Sequence, residues 1–157
     1  MAKEHFYKTN IIWTGNRGEG TSHYKGYDRS HNISVANKPV IESSSDPAFM
    51  GDASKYNPEE LLLAALSSCH MLWFLHLCSD HGIIVVDYRD EATGVMVETS
   101  SGGHFTEVVL HPMVTITDNK KIEKANELHL EANKRCFIAN SCNFPVKHEP
   151  TCTSISY

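Results

Sequence analysis

The sequence has no block of basic residues, no repeat and no low-complexity tract. Its formal charge is −5, with 19 Asp and Glu against 14 Lys and Arg, and the two signs are mixed along the chain. Nucleic-acid binding needs a basic stripe, so that class of partner is set aside. The opening residues, MAKEHFYKTN, lack the apolar core of a secretory signal. The longest oily run, Leu61 to Leu77, is broken by Ser67, Ser68, His70 and His76 and barely reaches spanning length. It reads as a buried helix rather than a membrane span. There is no G-x-S-x-G elbow, and Ser67-Ser68 sits inside a helical pattern, which argues against a serine hydrolase. His76, Cys78 and His81 cluster without the tight Cys-x2-Cys or His-x3-His pairs of zinc sites. These absences leave a cytosolic domain spanning 1–157, long enough for one core, with no metal, cofactor, nucleic acid or membrane partner.

What the chain does contain is five cysteines: Cys69, Cys78, Cys136, Cys142 and Cys152. An odd number without a secretory signal argues against a structural disulfide framework. Each thiol is then either a core filler or a chemical group.

Patterning along the chain predicts an α+β domain. His5–Trp13 reads as a strand, Gly15–Gly20 as a glycine-rich turn, Thr21–Tyr27 as a second strand and His31–Val35 as a third, in an antiparallel meander. Lys38–Tyr56 reads as loop, with Pro39, Pro47, Gly51 and a serine run. Asn57-Pro58-Glu59-Glu60 is a strong helix start: an N-cap, a first-position proline and two acids at the positive end. That helix runs to about Asp80, stops at Gly82, and is apolar all round, so burial on most sides is expected. Ile83–Thr99 is β-rich, Ser100–Gly103 is a hairpin, and His104–Thr117 reads as one long strand. Lys120–Lys134 is helical, with Ile122, Ala125, Leu128, His129 and Ala132 on one face. Cys136 continues that face, and Val146–Tyr157 reads as a last strand.

For an isolated cysteine in an oily helix, packing is the ordinary reading. Cys69 differs because Ser67-Ser68-Cys69-His70 interrupts the leucines with small polar groups that need partners or a cavity. A buried thiol has a raised pKa and needs a cation to become nucleophilic. Arg17, in the glycine-rich turn, is the first candidate for that cation and Arg29 the second; Arg89 and Arg135 read as surface charges. Glu59 or Glu60 can hold such an arginine, or both can simply be first-turn acids. Cys136 is the candidate resolving thiol, with Cys142 as competitor. Cys78 points away from Cys69 on the same helix, and Cys152 reads as packing.

At these residues the chain resembles the OsmC/Ohr family of thiol-dependent peroxidases. The resemblance is carried by Trp13-Thr14-Gly15-Asn16-Arg17-Gly18-Glu19-Gly20, by Asn57-Pro58-Glu59-Glu60-Leu61 with Ala64-Ala65 leading to Cys69, and by a second helix closing on Cys136. It implies antiparallel sheets and long central helices, intertwined in a homodimer with active sites at the interface. It also implies that Cys69 is the peroxidatic cysteine, Cys136 the resolving one, Glu59 the acid that orients an arginine, and Arg17 that arginine. The implied activity is reduction of organic hydroperoxides at the expense of a dithiol, in oxidative-stress defence. The oily residues Leu62, Leu66, Trp73 and Phe74 favour an organic peroxide. The chain departs from the family at His70, at Phe137 where proline is common, and at the additional Cys142. The alternative is a non-catalytic module on the same fold that binds a small apolar molecule.

Overall fold

A computed structural model describes residues 3–155, which divide into two compact units between Leu61 and Leu62.

The first unit is a three-stranded antiparallel sheet in the order β1 (Asn10–Trp13), β2 (His31–Ser34), β3 (Ile41–Ser43). The meander is present, but its strands differ from the expected set. Thr21–Tyr27 is a run of turns and not a strand. The carbonyls of Tyr24 and Tyr27 accept hydrogen bonds from the Arg29 guanidinium at 2.7 and 2.6 Å, which diverts them from a ladder. The third strand comes from the expected loop, where Ile41 pairs with Ile33 and Ser43 with His31. The first strand is shorter than expected because its partner β2 has four residues.

Helix α1 (Pro58–Asp80) opens as anticipated. The Asn57 side chain accepts from the Glu60 amide at 2.8 Å, and Glu60 accepts from the Asn57 amide at 3.1 Å. This reciprocal capping box satisfies two otherwise unpaired amides. The helix ends in a Schellman turn: the Ile83 amide bonds the Cys78 carbonyl at 2.8 Å and the Gly82 amide bonds the Ser79 carbonyl at 3.1 Å. That turn needs the left-handed φ of +63° that Gly82 supplies.

The second unit holds two mixed sheets, β4 (Val85–Asp90)–β7 (Pro112–Ile116)–β9 (Thr151–Ser154) and β5 (Thr93–Thr99)–β6 (Gly102–Leu110)–β8 (Val146–His148). The predicted hairpin joins β5 and β6. The expected long strand His104–Thr117 is two strands in different sheets, split at His111-Pro112. The Asp90 carboxylate holds the split open, accepting from the His111 amide at 2.6 Å and from the Ser67 hydroxyl at 2.5 Å. The expected last strand is likewise two, interrupted at Glu149-Pro150, and its residues 156–157 lie outside the described region. Both pieces run parallel to their neighbours, β8 to β6 and β9 to β7. The sheets are therefore not purely antiparallel, although the α+β class stands.

Helix α2 (Ile122–Arg135) buries Ala125, Leu128, His129 and Ala132, the face its periodicity predicts. Phe74, Leu77, Cys78, Ile83, Val114, Ile116 and the α2 face form one core; Leu66, Val108 and Leu110 form another, under Leu62, Leu63, Phe105, Phe144 and Val146. Within the described chain α1 is not buried on most sides. Its covered residues are the stripe Leu66, His70, Phe74, Leu77 and Cys78, while Leu72 is 63% exposed. By length and composition α1 is apolar enough to cross a membrane; here its stripe serves as the spine of the core.

Candidate active site at a pair of thiols

Cys69 lies on the half-buried flank of α1, directly before the fully buried His70. Cys136 follows the last turn of α2 and is 1% exposed. Both belong to the second unit, and the packing of α1 against α2 brings them together: the Cys69 thiol is within hydrogen-bonding reach of Cys136. Burial pushes the Cys136 thiol up from its ordinary range, and the contact with Cys69 pushes it further; the Ala139 amide, which donates to Cys136 Sγ at 3.4 Å, pulls the other way. All five cysteines are free.

The arrangement is asymmetric. An oxidant arriving from solvent meets Cys69 first, because Cys136 is enclosed. A sulfur oxidised at Cys69 then has a thiol in contact with it, which is what condensation to a disulfide requires. Cys142 does not share this contact. It packs in the other core, where its thiol donates to the Ile138 carbonyl at 3.3 Å. Cys78 is a core residue whose thiol is pushed up to about 12, chiefly by burial, and Cys152 packs against the same core.

Aromatic residues border the pair. Trp73, one turn beyond Cys69 on α1, meets Phe137 edge-on at 5.7 Å, and the Arg135 guanidinium stands 5.8 Å over its indole. Arg135 is thus not a free surface charge. Leu66 and Phe74, expected in the substrate wall, are instead fully enclosed in the two cores. Phe137, which packs edge-on against Trp73, is 66% exposed.

Arg17 and Glu59 lie in the first unit. Arg17 is exposed and makes a two-pronged ion pair with Asp28, its Nε donating at 2.9 Å. That hydrogen bond raises the guanidinium pKa and lowers that of Asp28. Arg29 is held between the rings of Tyr24 and Tyr27, at 4.3 and 4.2 Å. The two glutamates separate in role: Glu60 closes the capping box, whereas one carboxylate oxygen of Glu59 is shielded from solvent without a hydrogen-bond partner among the described residues.

His76 and His81 do not join Cys78: His76 pairs with Asp80 at 3.5 Å, and His81 bonds the Leu77 carbonyl at 2.8 Å. No three His, Cys, Asp or Glu side chains converge as a metal site among the described residues.

A family model described as OsmC-like protein matches residues 51–151, from before the helix cap through both thiols. The chain belongs to the OsmC-like family. It is similar to the uncharacterized protein YmaD of Bacillus subtilis (strain 168), 27% identical over 147 residues that cover 90% of this chain and 88% of that protein. Among solved structures, an OsmC-like protein of unknown function from Vibrio cholerae O1 is 29% identical, with a TM-score of 0.85 over 94% of this chain and 100% of that one. An organic hydroperoxide resistance protein from Elizabethkingia anophelis shares the fold at 18% identity, with a TM-score of 0.68 over 98% and 100% of the two chains.

One group escaped sequence reasoning. His70 stood out as part of a polar interruption in the oily helix and as a departure from the family, but not as a partner of His129 on α2, which it bonds with both rings fully buried. The available signal was a histidine on the apolar face of α2, a polar residue at a core position.

Proposed function

We propose that this protein is a thiol-dependent peroxidase that reduces organic hydroperoxides, with Cys69 as nucleophile and Cys136 as resolving thiol. The contact between an accessible Cys69 and an enclosed Cys136, within an OsmC-like chain, is the observation that carries the reading. Cys69 thiolate attacks the distal peroxide oxygen; the O–O bond breaks, and the departing alkoxide takes a proton to become the alcohol. Cys69, now a sulfenic acid, loses water as the Cys136 sulfur attacks it, closing a disulfide. An external dithiol supplies two electrons and two protons to restore both thiols. In this reading Arg17 leaves the Asp28 carboxylate that it holds in the described chain, favours the thiolate and the departing alkoxide electrostatically, and is oriented by Glu59. The unsatisfied carboxylate oxygen of Glu59 supports its half of that assignment. Trp73 and Phe137 favour a substrate with an apolar body.

The protein acts as a cytosolic homodimer of one OsmC-like domain per chain. The uncovered apolar side chains Leu72, Ile84 and Val86, 63%, 64% and 52% exposed, support a self-association surface. A second reading, a non-catalytic module for a small apolar molecule, draws on a cavity of about 390 Å³ beside α1, lined by Leu63, Ala64, Met71, Tyr88 and Ala92 among others.

Peptide mapping by mass spectrometry after one equivalent of an alkyl hydroperoxide tests the proposal. A Cys69–Cys136 disulfide is expected, and Cys69→Ser should abolish peroxide consumption. A Cys69–Cys142 bond would reassign the resolving role. An unoxidised Cys69, or undiminished turnover in the serine variant, would favour the binding module.

A further inference from the structure

Three histidines come together in the second unit, two of them fully buried and the third, His148, half-buried. His70 Nε2 and His129 Nδ1 are 3.0 Å apart, with the two rings nearly coplanar at 7°. Phe74 stacks on the His129 face, centroids 3.8 Å apart and planes within 10°. His148, from β8, lies 5.5 Å from His70 and 6.4 Å from His129. Both members of the bonded pair are fully buried. A core position filled by two imidazoles rather than two leucines needs a reason, because each ring also buries a nitrogen without a partner, Nδ1 of His70 and Nε2 of His129. Those two nitrogens are at opposite ends of the pair and cannot bind one ion together.

We propose that His70 and His129 are positioning residues for the thiol pair, their hydrogen bond setting the register of α1 against α2 and so the separation of Cys69 from Cys136. The inference deepens the peroxidase reading, since it concerns the same two sulfurs. His70 is the next residue after Cys69. His129 is seven residues before Cys136, two helical turns or about 10 Å along the axis. Theirs is the only side-chain hydrogen bond between α1 and α2 among the described residues. Apolar contacts tolerate a small slide of one helix along the other; a directional N–H···N bond between rings locked by Phe74 does not. A slide or roll that parts the sulfurs must therefore break this bond first.

The bond requires one proton between the inner nitrogens and is lost when both rings are charged. The titratable group facing it is His148 of β8; from α1 it meets the uncharged Phe74 ring. Burial, with a smaller contribution from the neighbouring imidazoles, holds His70 at about 4 and His129 at about 3. The clasp thus stays intact across the neutral range.

The test is the effective concentration of the Cys69–Cys136 dithiol, read by peptide mapping after equilibration in glutathione redox buffers. Asparagine places an amide nitrogen where His129 has Nδ1 and can restore the bond, whereas leucine fills the space without one. His129→Asn should keep the effective concentration within about threefold of the unmodified protein, and His129→Leu should lower it at least tenfold. Packing alone predicts the reverse order, so a leucine variant equal to or above the asparagine variant would overturn the proposal. His70→Gln against His70→Leu repeats the comparison from the other helix should a His129 variant not fold. The equilibrium is set without peroxide, so a protein that consumes no hydroperoxide would count against the peroxidase reading and leave this result intact.

Discussion

Mild acid should destabilise this fold through its buried histidines. An unfolded histidine titrates near 6.5, whereas burial depresses His70 to about 4 and His129 to about 3. With folded values below the unfolded one, stability is complete above the unfolded value and is lost as pH falls through the interval between them, because the unfolded chain binds protons that the folded chain refuses. At pH 5 the unfolded rings are mostly charged and the folded ones neutral, so each lowers the unfolding free energy by about 2 kcal/mol relative to pH 7.5, and the two by about 4 kcal/mol. A domain holds about 5–15 kcal/mol in total, so the loss is large. His148 shifts in the same direction, also by burial. The carboxylates with lowered values, Asp28, Asp52 and Glu131, lose their contribution only as pH falls through and below the ordinary carboxylate range of about 4, which leaves the window from 7.5 to 5 to histidine. Urea unfolding of the reduced protein, followed by Trp fluorescence, is the assay. The midpoint should fall by about 2 M between pH 7.5 and pH 5. The double substitution His70→Leu/His129→Leu should remove most of that slope. A midpoint equal at the two pH values, or a slope as steep in the double variant, would refute the reasoning.

Four further outcomes are expected. Cys136→Ser should leave peroxide-treated Cys69 as a sulfenic acid that a dimedone probe captures in place of a disulfide; absence of the adduct would count against Cys69 as the attacked sulfur. Arg17→Met should slow alkylation of Cys69 by iodoacetamide at pH 7 by about tenfold if the guanidinium favours the thiolate, and an unchanged rate would remove Arg17 from the site. Leu72→Glu should shift sedimentation from a dimer toward the 17.6 kDa chain, whereas an unmodified protein that already sediments as a monomer would exclude the self-association surface. Gly82→Ala, at a φ of +63° in the helix stop, should cost about 1 kcal/mol in chemical denaturation; an unchanged midpoint would mean the Schellman turn tolerates a Cβ.

Local chemistry was legible wherever it depends on neighbours in sequence. The Asn57 cap, the Gly82 stop, the Ser100–Gly103 hairpin and the buried face of α2 all follow from spacing, since each depends on groups within a few residues. The thiols were legible as candidates for the same reason: one interrupts an oily helix and the other ends an amphipathic one. Errors arose where a distant partner decides. Asp90 splits one apparent strand into two by bonding Ser67 and His111, 23 and 21 residues away.

The sequence by itself determined the two helices, the N-cap and the glycine stop of α1, the α+β class and the five thiols from which the site is drawn. Tertiary structure decided which of those thiols meet. Cys69 and Cys136 are 67 residues apart in sequence, and no periodicity carries that contact; it exists because α1 and α2 pack through Phe74, His70 and His129. It also decided that Arg135 joins Trp73, and that Cys142 turns to another core. A side chain's local pattern says which face it occupies, while only the folded chain says what stands opposite.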